Sequence, residues 1–287
     1  MAARILDGRA LASELRDGLA RRVVALRERG VAPTLVVVMV GEDDSSLAYV
    51  RGMRSLGAKV GVDVVVDLLP LATDDAGVRA ALQRYDEDPA VHGVILQQPL
   101  PRHLHIRSIA DAMPERKDVD AMNPVNQGRL AFATGARFIP ATPAAVMLLL
   151  ERSAMWPLAG RDITVIGRSN VVGLPVSLLL MAQNATVTVT HKETNAIRDH
   201  VRRAEVVVVA AGAPQLVDAT WLRDGATVID VGTTVVDGRL LGDVDFESAV
   251  TVAGEITPVP GGVGPVTNVA LMRNVVAAAE DLSGASL

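Results

Sequence analysis

The sequence contains no cysteine. Disulfides, thiolate metal sites and cysteine nucleophiles are excluded together. Aromatic residues are almost as scarce, at 2% of the 287 positions against 49% hydrophobic in all. The interior must therefore be built from valine, leucine, isoleucine and alanine, the composition of buried parallel sheets covered by helices. Lysine is confined to Lys59, Lys117 and Lys192. A net charge of −5 leaves no basic footprint for nucleic acid. No apolar run reaches the ~20 residues of a membrane span. The N-terminus is charged from Arg4 and runs straight into an amphipathic pattern, so it lacks the apolar core of a signal peptide. The five histidines are scattered, without metal-ligand spacing, and neither a nucleophile elbow nor a P-loop occurs. The expectation is a soluble, cytoplasmic protein with no metal and with neither nucleic-acid nor membrane partners.

What is present is a strict alternation of strand and helix patterns, long enough for two domains of ordinary size. Leu11, Leu15, Leu19, Val23 and Leu26 form one helical face, which Gly30 ends. Strands are expected at 34–40, 62–69 and 93–97, with a helix over 74–85 and another capped by residues 43–46. That second helix carries Tyr49 and Met53 four residues apart, on one face. Right-handed crossovers would lay these strands parallel, with their carboxyl ends on one edge. Segments 41–44, 97–101 and 117–120 gather at that edge, where ligands of open α/β sheets sit. Asp118 and Asp120 alternate along an extended segment, so only one of them faces it.

A second unit begins after Pro140, with Thr142 and Pro143 as the start of a helix. Strands follow at 163–166, 185–190, 206–211 and 227–231, the last two closing on Gly212 and Gly232. Between the first strand and its helix lies Gly167-Arg168-Ser169-Asn170-Val171-Val172-Gly173, the context of a dinucleotide-binding turn, with Ser169 in place of the middle glycine. An NAD site carries an acid at the end of the next strand. His191 and Lys192 stand there instead and, with Arg168, suit a 2′-phosphate and hence NADP; a solvated basic pair is the alternative. Residues 256–272 read ITPVPGGVGPVTNVALM. Prolines and glycines over 258–265 predict a shaped loop, and Thr267 and Asn268 predict caps for a final helix over 269–282. A ligand-lining loop and a stiff connector are both compatible with that composition.

Tyr49-Val50, Gln97 with Pro99-Leu100-Pro101, Lys117-Asp118-Val119-Asp120, Gly167-Arg168-Ser169 with Val172-Gly173 and Pro175, Asp230-Val231-Gly232, Gly242-Asp243-Val244 and the Pro-Val-Pro-Gly-Gly-Val-Gly-Pro run together resemble the bifunctional methylenetetrahydrofolate dehydrogenase/methenyltetrahydrofolate cyclohydrolase family. The likeness is collinear over nearly the whole chain. It implies an α/β protein with an N-terminal α/β folate domain at 1–141, a C-terminal Rossmann-like NADP domain at 142–267, and a last helix, 268–287, packing back on the first domain. A cleft between the domains and a homodimer are implied as well. The family oxidises 5,10-methylenetetrahydrofolate with NADP and hydrolyses the methenyl product to 10-formyltetrahydrofolate. By resemblance Tyr49 would stack near the reacting folate, Gln97 would join the catalytic hydrogen bonds, and Asp120 would hold the pterin ring. Gly262, Gly264 and Pro265 would line the folate site. Gly167, Arg168, Ser169, Gly173, Lys192, Gly212, Gly232 and Thr233 would belong to the NADP site.

One departure stands out. The family carries its catalytic lysine four residues after the tyrosine, where this chain has Met53. Lys59 lies six residues further, roughly 240° round a helix, and Arg54 cannot shuttle protons near neutrality. Ser55, Ala121, Ala141 and Thr233-Thr234 are smaller departures. Hydride transfer chiefly needs positioning, whereas hydrolysis needs protons moved, and losing a placed acid/base group costs ~10²–10⁴ in rate. The expectation is an NADP-dependent dehydrogenase with doubtful hydrolase activity. The alternatives are an impaired folate- and NADP-binding paralogue and the same chemistry on a modified folate.

Overall fold

The structure is a computed structural model that describes residues 3–42, 44–132 and 135–284; the expected cap at Asp43 lies outside these residues. Along the first half come β1 (Arg4–Ile5), α1 (Gly8–Glu28), β2 (Thr34–Val40), α2 (Asp44–Val60), β3 (Asp63–Leu69), α3 (Asp75–Glu87), β4 (Gly93–Leu96), α4 (Ile106–Ile109) and α5 (Pro124–Ala131). Next are α6 (Ala141–Leu150), β5 (Asp162–Ile166), α7 (Gly173–Ala182), β6 (Thr186–Thr190), α8 (Ile197–Arg203), β7 (Val206–Val209) and β8 (Thr227–Asp230). Last come β9 (Thr234–Val236), β10 (Arg239–Leu241), α9 (Phe246–Ala249), β11 (Glu255–Ile256) and α10 (Val263–Leu282).

The chain divides into two compact units, Glu14–Ala141 with Asn268–Leu287, and Met1–Ser13 with Thr142–Thr267. The first holds a three-stranded parallel sheet ordered β3-β2-β4. From β2 the chain adds β3 on one side and then β4 on the other, so the carboxyl end of β2 is a topological switch point. Alternate residues Val36, Val38 and Val40 of β2 pack with Val94 and Leu96 of β4 and Val78 and Leu82 of α3, as the two-residue period of a strand requires. Asp74 caps α3 by accepting from the Gly77 amide. Within this unit α10 is tied to α1 by the Arg22–Glu280 pair at 2.6 Å.

The second unit holds a six-stranded parallel sheet ordered β1-β11-β8-β7-β5-β6. Its switch point is β5, with β6 on one side and β7 on the other. All four residues of β7 are fully buried, which is why that strand reads as an unbroken apolar run. Ile166, Val207, Val209, Val228 and Ile256 share one core with Trp221, Leu222 and Val244.

Three expectations need correction. Residues 3–13 belong with the six-stranded sheet, because β1 extends it: Arg4 pairs in register with Glu255 and Ile5 with Ile256. Arg4 also forms an ion pair with the buried Glu255 carboxylate, which accepts from the Ala154 amide and the Thr227 hydroxyl as well. The final helix begins at Val263 rather than Val269. Pro265 then falls in its first turn, where a missing N–H breaks no helical bond, and Thr267 lies inside the helix, its hydroxyl donating back to the Val263 carbonyl at 3.2 Å. Likewise α6 starts at Ala141, placing Thr142 within it.

Candidate active site

In the first unit, three segments meet the carboxyl edge of the small sheet. Gln97 follows β4 directly and its amide bonds the Val38 carbonyl at 2.9 Å. The 117–120 segment runs parallel to β4 through a bridge between Val94 and Asp118. Tyr49 and Met53 lie on α2, the first half-buried and the second without any exposed surface.

The two alternate aspartates divide their work. Asp118 is completely buried and accepts from the Met122 amide (2.9 Å), the Asn123 amide (2.7 Å) and the Asn126 side chain (2.9 Å), so it fixes the bend that follows. Burial raises its pKa against those donors. Asp120 points the other way and, among the described residues, accepts from one protein donor, the Ala141 amide at 2.8 Å. Burial pushes its carboxyl up to about 6, the Ala141 amide opposing and the Asp118 charge adding to the rise. The Tyr49 hydroxyl is raised by burial and then by the Asp120 charge, which holds it in the protonated, donating form. The Gln97 side chain turns back on its own chain, Nε2 donating to the Gln98 carbonyl at 2.7 Å, which leaves Oε1 as an acceptor.

The two lysines of this unit lie away from Met53 or are already bonded. Lys117 is buried and spends its three donors on the carbonyls of Tyr85, Asp86 and Asp88 at 2.7–2.8 Å, closing the end of α3. Lys59 and Arg54 are exposed on α2. Asn274, for which no motif prepared the way, donates to the carbonyls of Val119 (2.7 Å) and Ile139 (2.8 Å). It thereby sets the backbone on both sides of the Asp120–Ala141 bond. Its one legible sign is a polar residue beside Val275, Val276, Ala278 and Ala279, all fully buried.

In the second unit the carboxyl ends of β5, β6, β7 and β8 bring Gly167, Lys192, Gly212 and Gly232 to one edge, since all four strands are parallel. Gly167 has φ +117° and its amide donates to the Thr190 carbonyl at 2.8 Å. A side chain at Gly173 would collide with the Gly167 carbonyl, 2.1 Å from the added carbon, so only glycine lets the turn close onto α7. The helix starts at Gly173 with no side-chain cap from Val172. The Leu174 amide donates to the Ser169 carbonyl at 3.0 Å and Pro175 has none, so among the described residues it is the Gly173 amide that is left to face an anion at this helix N-terminus. The donor set fits a pyrophosphate, with Arg168, Ser169 and Lys192 exposed beside it. Thr233 is exposed at the β8 exit. Gly262, Gly264 and Pro265 lie where the Pro/Gly loop enters α10. Among the described residues no group of three or more acidic or histidine side chains could hold a metal, and no helix is long and apolar enough to cross a membrane.

Known proteins share this fold. Residues 6–120 match the tetrahydrofolate dehydrogenase/cyclohydrolase catalytic domain, and residues 140–283 match its NAD(P)-binding domain. The chain is 48% identical over 276 residues to the bifunctional protein FolD of a Parafrankia species, covering 96% of this chain and 99% of that one. The bifunctional FolD methylenetetrahydrofolate dehydrogenase/cyclohydrolase structure from Campylobacter jejuni matches with a TM-score of 0.94 at 34% identity, over 98% of this chain and 99% of that one. The N5,N10-methylenetetrahydrofolate dehydrogenase-cyclohydrolase of Trypanosoma brucei, solved with NADP and an inhibitor, matches with a TM-score of 0.92 at 38% identity, over 98% of each chain. With both halves matched in order and these relatives aligned almost end to end, the chain belongs to the tetrahydrofolate dehydrogenase/cyclohydrolase family.

Proposed function

We propose that the chain oxidises 5,10-methylenetetrahydrofolate to 5,10-methenyltetrahydrofolate with NADP in one-carbon metabolism, and that hydrolysis to 10-formyltetrahydrofolate is its weak step. The family match supports the first part. The observation that carries the second is Met53, fully buried one helical turn past Tyr49, with each lysine of this unit exposed or committed elsewhere.

In this reading residues 14–141 with 268–287 form the folate domain, and 142–267 with the N-terminal segment form the NADP domain. Asp120 accepts the pterin's donors with the oxygen that the Ala141 amide leaves free. Tyr49 stacks on the folate, its hydroxyl protonated beside Asp120, and Gln97 offers Oε1 to the reacting centre. Gly262, Gly264 and Pro265 line the folate. Gly167, Gly173, Arg168 and Ser169 hold the pyrophosphate side of NADP, Lys192 the 2′-phosphate, and Gly212, Gly232 and Thr233 the far end. NADP, when bound, supplies the hydride acceptor. Electron push for the hydride comes from the folate nitrogen's lone pair, so the protein's part there is orientation. Hydrolysis differs: a proton must leave the attacking water and another must reach the departing nitrogen. The thioether of Met53 moves neither. A homodimer in the cytoplasm belongs to the same reading, and sedimentation would test its assembly.

The test is NADPH formation from methylenetetrahydrofolate and loss of methenyltetrahydrofolate, measured on the natural chain and on Met53→Lys. The expected result is NADPH formation by both, with hydrolysis near the spontaneous rate in the natural chain and raised ~10²–10⁴-fold by the lysine. Rapid hydrolysis by the natural chain would remove the second part. NADPH formation by Met53→Lys alone would make the natural chain a binding paralogue.

A further inference from the structure

Beneath the β7 and β8 exits lies a pair of acids that the proposed chemistry does not use. Asp230 and Asp243 are 3% and 0% exposed, and no cation pairs with either among the described residues. Asp230 Oδ1 accepts from the amides of Gly232 (2.9 Å) and Asp243 (3.0 Å), and Oδ2 accepts from the amide of Val244 (3.0 Å). Asp243 Oδ2 in turn accepts from the amides of Ala211 (2.7 Å) and Gly212 (2.8 Å). The Asp230 amide donates to the Thr257 hydroxyl at 2.8 Å, where the Pro/Gly loop starts. One chain of bonds therefore runs from that loop through both acids to Ala211 and Gly212, just past the end of β7.

The pair is enclosed on every side that has been described. A side-chain carbon at Gly242 would fall 1.9 Å from Asp230 Oδ2, and one at Gly232 would fall 2.3 Å from Asp243 Cγ. The Gln215 and Val217 amides hold the carbonyls of Gly242 and Asp243 at 3.0 and 3.1 Å, so the acids cannot drift outward. Burial raises both carboxyls against their amide donors, Asp230 to about 6, and burying two acids without a cation among the described residues is costly. Among the described residues Asp243 Oδ1 is buried without a hydrogen-bond partner of good geometry, the Ala213 amide being the nearest further donor to the carboxyl. Ala211 and Gly212, by contrast, are exposed at the edge. Their amides are held from beneath while their outer side stays open.

We infer that Asp243 is a positioning residue for the NADP site, acting through the Ala211 and Gly212 amides at the β7 exit, with Asp230 as the anchor that fixes Asp243. The inference rests on the NADP reading above. Asparagine is the discriminating replacement: its Oδ1 can still take the amide bonds of Ala211 and Gly212. Alanine removes both bonds. A merely structural role would lower thermal stability and disturb both substrates alike, whereas positioning separates the two KM values.

The experiment measures NADP affinity by calorimetry and both KM values on the full chain, on Asp243→Ala and on Asp243→Asn. The expected result is a roughly 10–100-fold rise in the KM for NADP in Asp243→Ala, as lost charge-assisted bonds predict, a folate KM within about twofold of the natural value, and recovery in Asp243→Asn. Equal change in both KM values, no change in either, or Asn behaving like Ala overturns the inference. If Asp243→Ala does not fold, Asp243→Ser, too short to reach both amides, takes its place with the same outcomes. A natural chain that binds no NADP removes the underlying reading and the inference with it, while normal binding by both natural chain and Ala variant removes the inference alone.

Discussion

Asp120 in the first unit and Asp230 in the second are both pushed up to about 6, and burial is the main cause in each. Their surroundings nevertheless differ in kind. The Asp230 carboxylate accepts from three backbone donors and, among the described residues, from no side chain, so its capacity is spent inside the protein. Among the described residues Asp120 receives one backbone donor, which leaves one carboxylate oxygen open. A perturbed pKa alone would nominate both as functional groups. Counting donors separates them: a saturated carboxylate is spent on holding loops in place, and an undersaturated one has an oxygen left to accept from a further donor. Asp118 and Asp120 repeat the contrast two residues apart.

The largest expected effect follows from removing each acid. Asp230→Ala strands three buried amides, at about 1–3 kcal/mol each before relaxation, and should lower unfolding stability by roughly 3–5 kcal/mol in urea titrations. Asp120→Ala strands one amide and should cost about 1 kcal/mol while abolishing folate turnover. Equal stability losses in the two variants would break the comparison.

A smaller effect lies in pH. For an acid whose folded pKa is raised, the stabilising contribution is fully present below the unfolded value and is lost as pH rises through the folded one. For Asp230 that window runs from 3.8 to about 6. Asp230→Asn titrates nowhere in the window. The stability of the natural chain minus that of the variant should therefore fall by on the order of 2 kcal/mol between pH 4 and 7, read by unfolding at each pH. A flat difference would mean that the folded carboxyl titrates as in water.

Much of this arrangement could be read before any coordinates. The strand expected at 34–40 is β2 to the residue, and the turn from Gly167 to Gly173 sits between β5 and α7 as its glycines required. Local pattern carries such elements because their side chains are buried on a regular period. β1 and β11 are two residues each and pair across Arg4 and Glu255, a separation that leaves no periodic trace. The start of α10 was hidden for a different reason: Pro265 reads as a helix breaker, yet a first turn needs no amide from it. The Asp230–Asp243 pair escaped because its partners are backbone amides, which every residue type except proline supplies alike. Asn274 escaped because it acts on two carbonyls brought together only by the fold.

The smallest effect tests the open side of the comparison. If Asp120 takes the pterin's donors as a carboxylate, protonation removes the acceptor, and folate binding weakens as pH falls through about 6. Between pH 7 and 5 the dissociation constant of a tetrahydrofolate ligand, measured by calorimetry, should rise about tenfold, which corresponds to ~1.4 kcal/mol. Asp120→Asn should bind weakly throughout and show no break, because a carboxamide titrates nowhere and presents a donor where an acceptor is needed. Lys117, whose three donors all close α3, supplies the control: Lys117→Met should lower stability and leave the position of the break unchanged. A break that persists in Asp120→Asn would assign the titration to the ligand itself, and Asp120 would then join Asp118 and Asp230 as a carboxylate spent on the fold.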